Sequence, residues 1–297
     1  MLQIEALKKR IETTRDLQSV VKTMKALAAV NIRQYERAAR SIEHYTRTTE
    51  MALQVLLLDP VHPPLARGAP KERVGGVVFG SDQGMCGQLN DQVVAHACAF
   101  LDKEFPLHGS NRRILALGQR VHARLRDRGH RVEASYAMPG SVKGIVPGVQ
   151  DLLVHIEKWL REDTAQHVVL FHGKQISGAS YRAQAVRLLP LDKAWLDRLR
   201  EKKWPTHCVP MFTMEKGPLF SALVRQHLFA CLFRAYAQSL ASENAARLSA
   251  MQGAEKNIEE RLEELTARFH KKRQMSITEE LLDIVAGWEA LKQEKRG

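Results

Sequence analysis

Residues 2–57, LQIEALKKRIETTRDLQSVVKTMKALAAVNIRQYERAARSIEHYTRTTEMALQVLL, contain neither proline nor glycine. A breaker-free run of that length is unusual for a compact domain and predicts one continuous helix. At 1.5 Å per residue it would be about 80 Å long. Its apolar residues recur at Ile4, Leu7 and Ile11, then at Leu17, Val20 or Val21, Met24, and Leu27 or Ala28. That is 3-4 spacing with a phase slip near Thr14, as in an imperfect coiled coil. The cluster Asp59-Pro60-Val61-His62-Pro63-Pro64 is expected to end it, because proline cannot continue a helix.

The chain answers this helix at its other end. From Gly217-Pro218 to Leu291 only Gly253 and Gly287 interrupt a second helical pattern, with Pro218 suited to a first turn. Leu248, Met251, Ile258, Leu262, Leu265 and Phe269 fall on one heptad seam, with Glu255 in a polar slot. Lys272 breaks the seam, and it resumes one residue out of phase at Ile277, Leu281, Ile284, Trp288 and Leu291. Between the helices, Val74–Phe79, Arg113–Gly118 and His167–Gly173 read as buried strands, with a further strand around Ala183–Leu189. Helix-like stretches lie around 91–104, 119–128 and 149–162, so strand and helix alternate as in an α/β sheet with crossover helices. The expected division is a coiled-coil helix over 1–58, an α/β domain over 74–213 and a coiled-coil helix over 217–292. Two helices separated by a whole domain pair only if antiparallel. Each apolar stripe is too narrow for a globular core and suits one partner helix.

Composition narrows the function. The 297 residues carry a formal charge of +12, with 44% hydrophobic, 26% charged and only 6% aromatic residues. A basic chain usually has an acidic partner, whether nucleic acid, membrane surface or protein. Arg33, Arg37, Arg40, His44 and Arg47 share one helix face, either solvated or facing an acidic surface. Nucleic acid is disfavoured, because no aromatic residues are interleaved for base stacking. Cys86, Cys98, Cys208 and Cys231 form no C-x-x-C pair and read as small buried hydrophobes. No apolar run approaches the roughly 18 residues of a membrane span, and the start is neither a signal nor a transit peptide, so a cytosolic chain is expected. There is no phosphate loop, G-x-G-x-x-G or H-E-x-x-H, and the twelve histidines are scattered. No catalytic residue, metal site or cofactor is expected.

Three segments carry a resemblance. Val20–Ala29 is similar to a helix segment written I-T-K-A-M-x-x-V-A-A, matching best at Lys22, Met24, Ala28 and Ala29. Gly80–Asn90, GSDQGMCGQLN, is similar to the turn S-D-x-G-L-C-G-x-L-N. Ala241–Met251, ASENAARLSAM, and Lys272–Gly287, KRQMSITEELLDIVAG, are similar to A-S-E-x-x-A-R-x-x-A-M and R-Q-x-x-I-T-x-E-L-x-E-I-V-x-G. In order and spacing, across nearly the whole chain, these resemble the gamma (central stalk) subunit of F-type ATP synthases. There are departures. Val21-Lys22-Thr23-Met24 replaces the usual T-K-A-M, His270 stands for an Asn, Trp288 for a small residue, and Phe212–Gly217 matches poorly. They point to a divergent branch, an alternate synthase beside a standard one.

The resemblance implies an antiparallel coiled coil rotating in a ring of alpha and beta subunits. It also implies a Rossmann-like base that joins the epsilon subunit and the membrane rotor ring of c subunits, peripheral on the cytoplasmic face of a bacterial inner membrane. Arg273 and Gln274 would hydrogen-bond to ring loops, with Met24 and Lys25 near that level on the opposing helix. Ser81, Asp82 and Gly84 are expected to shape a turn, and Met251, Ile258, Leu262 and Ile277 to pack the coiled coil. A coiled-coil tether outside any ATPase is the main alternative, and a nucleotide-binding α/β enzyme with helical extensions a third.

Overall fold

The computed structural model describes residues 2–58, 73–106, 111–178, 180–205 and 207–294. Helix α1 spans Leu2–Leu57 and helix α6 spans Lys216–Glu294, with Pro218 in its first turn. The proline cluster expected to end α1 lies outside the described residues. Between them run β1 (Val74–Phe79), α2 (Leu89–Glu104), β2 (Arg112–Leu117), α3 (Gln119–Asp127), β3 (Ala134–Tyr136), α4 (Ile145–Arg161), β4 (His167–Ser177), β5 (Ser180–Leu189) and α5 (Lys193–Glu201). The expected class holds: long antiparallel N- and C-terminal helices plus a Rossmann-like α/β domain. The chain falls into two compact units, Met1–Leu27 with Ala250–Gly297, and Ala28–Ser249.

In the larger unit the sheet order is β3-β2-β1-β4-β5. The first four strands are mutually parallel and β5 pairs antiparallel to β4. All six residues of β1 are buried, as a central strand covered on both faces requires. Val74, Val78, Ile114, Ala116, Val169 and Phe171 pack beneath α2 and α3. Val77, Phe79, Leu115, Leu117 and Leu170 face the other way, toward α4, α1 and α6. Gly75 is required by this packing, since a Cβ there would lie 2.3 Å from the Trp159 ring.

Two elements escaped the sequence reading. β3 is three residues long, too short for a period-2 pattern to register. α5 did have a start signal: Asp192 caps it, accepting a hydrogen bond from the Ala194 N–H at 3.0 Å.

Two histidines, one buried and one half-buried, set a pH dependence. His172 sits inside the sheet, and His227 stacks on Trp195 with ring centroids 4.6 Å apart. The His227 Nδ1 has no hydrogen-bond partner among the described residues. Burial pushes both imidazoles down from 6.5 to about 4. The unfolded chain therefore takes up these protons first as pH falls. Between pH 6.5 and about 4 each group lowers stability as the medium acidifies. His227→Phe keeps the stacking and removes one such proton. In urea titrations at stepped pH it is expected to flatten the acid limb by about 1.4 kcal/mol per pH unit. An unaltered slope would show that His227 does not titrate in the unfolding equilibrium.

Candidate functional site

Three places concentrate the singular residues, beginning with the turn after β1. The Ser81 N–H donates to Asn90 Oδ1 at 3.0 Å, Asn90 Nδ2 donates to Ser81 Oγ at 2.9 Å, and that hydroxyl donates to the Gln83 carbonyl at 2.8 Å. Asp82 reaches across to the next two crossovers. Its carboxylate accepts from the Gln119 N–H at 2.9 Å and from the Met138 N–H at 2.7 Å. A carboxylate at the start of α3 satisfies an orphan donor and suits the helix dipole. The turn is a latch tying β1, α2, α3 and the segment after β3, as expected of turn residues.

The second place is the crevice at the carboxyl ends of β1 and β4. Strand order reverses there, with β2 and β3 on one side of β1 and β4 on the other. Open α/β sheets bind ligands at such switch points. Here helix α6 fills the position. A Cβ on Gly173 would lie 2.8 Å from Ser242 Cβ and 3.2 Å from Leu89 Cδ1. Tyr236 packs edge-on against Phe79, centroids 5.0 Å apart. The Ala-Ser-Glu-Asn segment thus has a physical reading residue by residue. Ser242 is the close-approach residue. Glu243 pairs with Arg247 at 2.7 Å, both largely out of solvent. Asn244 accepts from Asn31 of α1 at 3.4 Å. Burial pushes the Glu243 carboxyl up, and Arg247 opposes that shift. Removing one member of this pair within α6 leaves an uncompensated buried charge beside Tyr35 of α1.

The third place is the smaller unit, in which α1 and α6 pair antiparallel. Lys25 makes an ion pair with Glu255, and Gln18 Nε2 donates to Glu259 Oε1 at 3.4 Å. On α6 the expected seam is observed: Met251, Glu255, Ile258, Leu262, Leu265 and Phe269 are buried or half-buried. On α1 the structure corrects the reading. The covered positions are Ile4, Leu7, Ile11, Thr14, Gln18, Val21, Met24 and Lys25. This heptad has no phase slip. The apparent slip arose because Thr14 and Gln18 put polar side chains into the seam, Thr14 with its hydroxyl bonded back to the Arg10 carbonyl at 2.7 Å. Leu17, read as seam, is more than half exposed; at the two either/or positions Val21 and Ala28 are the covered ones, and Leu17, Val20 and Leu27 form a second apolar stripe.

The antiparallel register also corrects two placements at the far end of α6. The Lys25–Glu255 pair puts Arg273 level with residues 4–7 of α1. Met24 and Lys25 are therefore about 18 residues away, some 27 Å of helix, and not near the level of Arg273 and Gln274. Both Arg273 and Gln274 are exposed. Ile277, expected to pack the coiled coil, is 47% exposed, and Leu281 and Ile284 are 58% and 68% exposed. The same register puts Ile277 level with the first turn of α1 and carries Leu281 and Ile284 past Leu2, so no described residue of α1 lies beside those two. In the larger unit, Arg33, Arg37, Arg40, His44 and Arg47 are all exposed, and none is ion-paired among the described residues.

A family model described as ATP synthase matches residues 3–291. The chain belongs to the ATP synthase family. Its relatives include the ATP synthase gamma chain of Bdellovibrio bacteriovorus, 27% identical over 98% of this chain and 100% of that one. The ATP synthase gamma chain of a Cyanothece species is 29% identical, again over 98% and 100%. Among solved structures, a chain of the Euglena gracilis mitochondrial ATP synthase in rotational state 3 superposes with a TM-score of 0.65 at 18% identity, covering 99% of this chain and 96% of that one. A chain of that enzyme's rotor in rotational state 1 gives 0.59 at 16% identity, over 93% and 99%. These two likenesses speak for the fold. The gamma-chain resemblance read from three segments is thus established for the whole chain. The motifs of this ATP synthase family chain divide by role. The turn after β1 and the Ala-Ser-Glu segment build the α/β unit, whereas Lys272–Gly287 lies on the exposed end of α6.

Proposed function

We propose that this chain is the central-stalk rotor subunit of a rotary ATP synthase, coupling ion translocation in the membrane sector to ATP synthesis or hydrolysis in an alpha/beta ring. The observation that carries this reading is the coiled-coil unit's excess of apolar surface. Besides its seam, it presents Leu17, Val20 and Leu27 on α1 and Ile277, Leu281 and Ile284 on α6 to solvent. Soluble monomers rarely leave contiguous apolar stripes uncovered. A two-stranded helix pair with apolar flanks is suited to an enclosing sleeve, and a ring of alpha and beta subunits is one. An asymmetric shaft offers each ring subunit a different face in turn. Those differential contacts bias each nucleotide site toward a different conformation, as any conformational coupling requires.

The subunit is non-catalytic in this reading and holds no cofactor. The crevice where an α/β sheet would take a nucleotide is occupied by Ser242, Tyr236 and Leu89 of the chain itself. The segments 1–58 and 217–292 serve as shaft, and 74–213 as the base that meets the epsilon subunit and the c-subunit rotor ring. The complex sits at the cytoplasmic face of a bacterial inner membrane, with this subunit peripheral. No helix among the described residues is long and apolar enough to cross a membrane.

Arg273 and Gln274 are assigned as ring contacts, Arg273 through the bidentate grip of its guanidinium on a carboxylate. Met24 and Lys25 form a second contact at a separate level, where Lys25 is already held by Glu255. Arg273→Ala with Gln274→Ala is expected to lower ATPase activity of the reconstituted complex severalfold and leave the thermal midpoint of the isolated chain unmoved. Full activity in the double variant would remove both residues from the coupling surface.

A further inference from the structure

The larger unit has a basic rim. Strands β1 to β4 are parallel, and the crossover helices α2, α3 and α4 run back against them. All three helices therefore end at the rim where the strands begin. Lys103 lies in the last turn of α2, Arg126 and Arg128 at the end of α3, and Lys158 and Arg161 in the last turn of α4. Arg131 follows in the connection to β3. All six are exposed, and none is ion-paired among the described residues, although Arg128 hydrogen-bonds to the Cys98 thiol. Most carboxylates of this rim are already engaged. Asp102 is held by Arg112, Glu104 by Arg187, Glu133 by Arg113 and Asp163 by Arg73. Asp127 and Glu162 are left to face six cations. A cation at a helix carboxyl end complements the dipole, which explains one such residue per helix. It does not explain Arg131, which lies beyond α3 altogether. No large apolar side chain is exposed at this rim among the described residues. Contacts between proteins are anchored by aromatic and apolar side chains that become buried, and the rim offers none. Exposed Lys and Arg alone suit a layer of anionic phosphates, which is recognised by charge rather than by shape.

We propose that this rim of the α/β unit is a docking surface for the anionic phospholipid headgroups of a membrane. The choice of a membrane rests in part on the reading of the chain as a rotor base held close to one, and the proposal adds a lipid contact to the subunit contacts of that reading. The attraction is electrostatic, so it acts within a Debye length of the headgroups and weakens with salt. Such a contact has no fixed geometry and inserts nothing into the bilayer. A turning base can keep it at every angle without being locked by it.

The test floats the full chain with phosphatidylcholine vesicles made with and without phosphatidylglycerol, and in parallel assembles it with alpha and beta subunits. The expected result is binding that requires phosphatidylglycerol, is lost in high salt, and falls at least about tenfold in the triple variant Lys103→Gln, Arg126→Gln, Arg131→Gln. Lys158→Gln with Arg161→Gln, at the end of α4, is a second and independent variant and weakens binding as well. Arg37→Gln with Arg40→Gln, on α1, leaves it unchanged. The thermal midpoint of each variant is expected to match the parent, because every substituted side chain is exposed. No phosphatidylglycerol-dependent binding, with ring assembly intact, overturns the lipid contact and leaves the rotor reading standing. Equal binding by the parent and both rim variants overturns the rim as the lipid surface. Loss of an acidic subunit from the complex in the rim variants, with vesicle binding unchanged, replaces the lipid by a protein partner. Rim-dependent vesicle binding by a chain that does not assemble with the ring overturns the rotor reading and upholds the lipid contact.

Discussion

Leu281→Asp combined with Ile284→Asp will abolish ring-coupled ATPase activity, by at least about a hundredfold, while the isolated chain keeps its fold. Both side chains are more than half exposed on the part of α6 that passes beyond Leu2. Polar substitutions on an exposed helix face without tertiary partners usually change stability by less than about 0.5 kcal/mol. The sleeve reverses that arithmetic. Once an alpha/beta ring closes over the stripe, two carboxylates are taken out of water without a partner, at several kcal/mol each. The measurement is paired: helicity and thermal midpoint of the free chain, then assembly and ATPase rate of the complex. Coupled activity within twofold of the parent would mean that the stripe is not enclosed.

Gly118→Ala carries the largest expected effect on stability. Gly118 sits at a φ of +104°, where L-residues are strained. A Cβ there would also lie 2.7 Å from the carbonyl carbon and oxygen of Ser81. Those are backbone atoms and cannot rotate away, and the Ser81 carbonyl is held by the Arg120 N–H at 3.0 Å. The Gly118 N–H is held in turn by the Tyr136 carbonyl at 2.8 Å. Relief requires breaking the latch between β1, β2 and β3, for a loss of about 4 kcal/mol or more. Gly87 supplies the contrast. Its φ is +55° but nothing lies within 4 Å of its would-be Cβ, so Gly87→Ala costs only about 1 kcal/mol of backbone strain. Urea midpoints of the two variants should separate clearly, and equal midpoints would contradict the latch.

The long helices were legible because absence is a strong signal: no breaker occurs in residues 2–57, and a proline opens the second run. The buried strands were legible as apolar runs ending in Gly-Ser-Asp or Gly. The seam of α1 was misread for a physical reason. Hydrophobicity marked Leu17 and left Val20 or Val21 and Leu27 or Ala28 open, whereas packing against α6 selected Thr14 and Gln18. A chain that must be apolar on more than one face carries two interleaved patterns, and periodicity alone does not say which faces the partner helix. The same ambiguity affected Ile277, whose heptad phase is genuine but belongs to a face that α1 does not cover. The roles of Ser242 and Gly173 were invisible in sequence, because their close approach is created by the crossing of α6 over β4 just past the end of its pairing with β1. The gathering of Lys103, Arg126, Arg131 and Arg161 at one rim likewise exists only once the parallel order of the strands is fixed.

The central claim is tested most directly by co-expressing this chain with the alpha and beta ring subunits of the same genome, then measuring size-exclusion stoichiometry and ATPase activity. The predicted result is a stable complex holding one copy of this chain per six ring subunits, with an ATPase rate different from that of the ring alone. Elution of the chain by itself, with ring activity indifferent to its presence, would contradict the account.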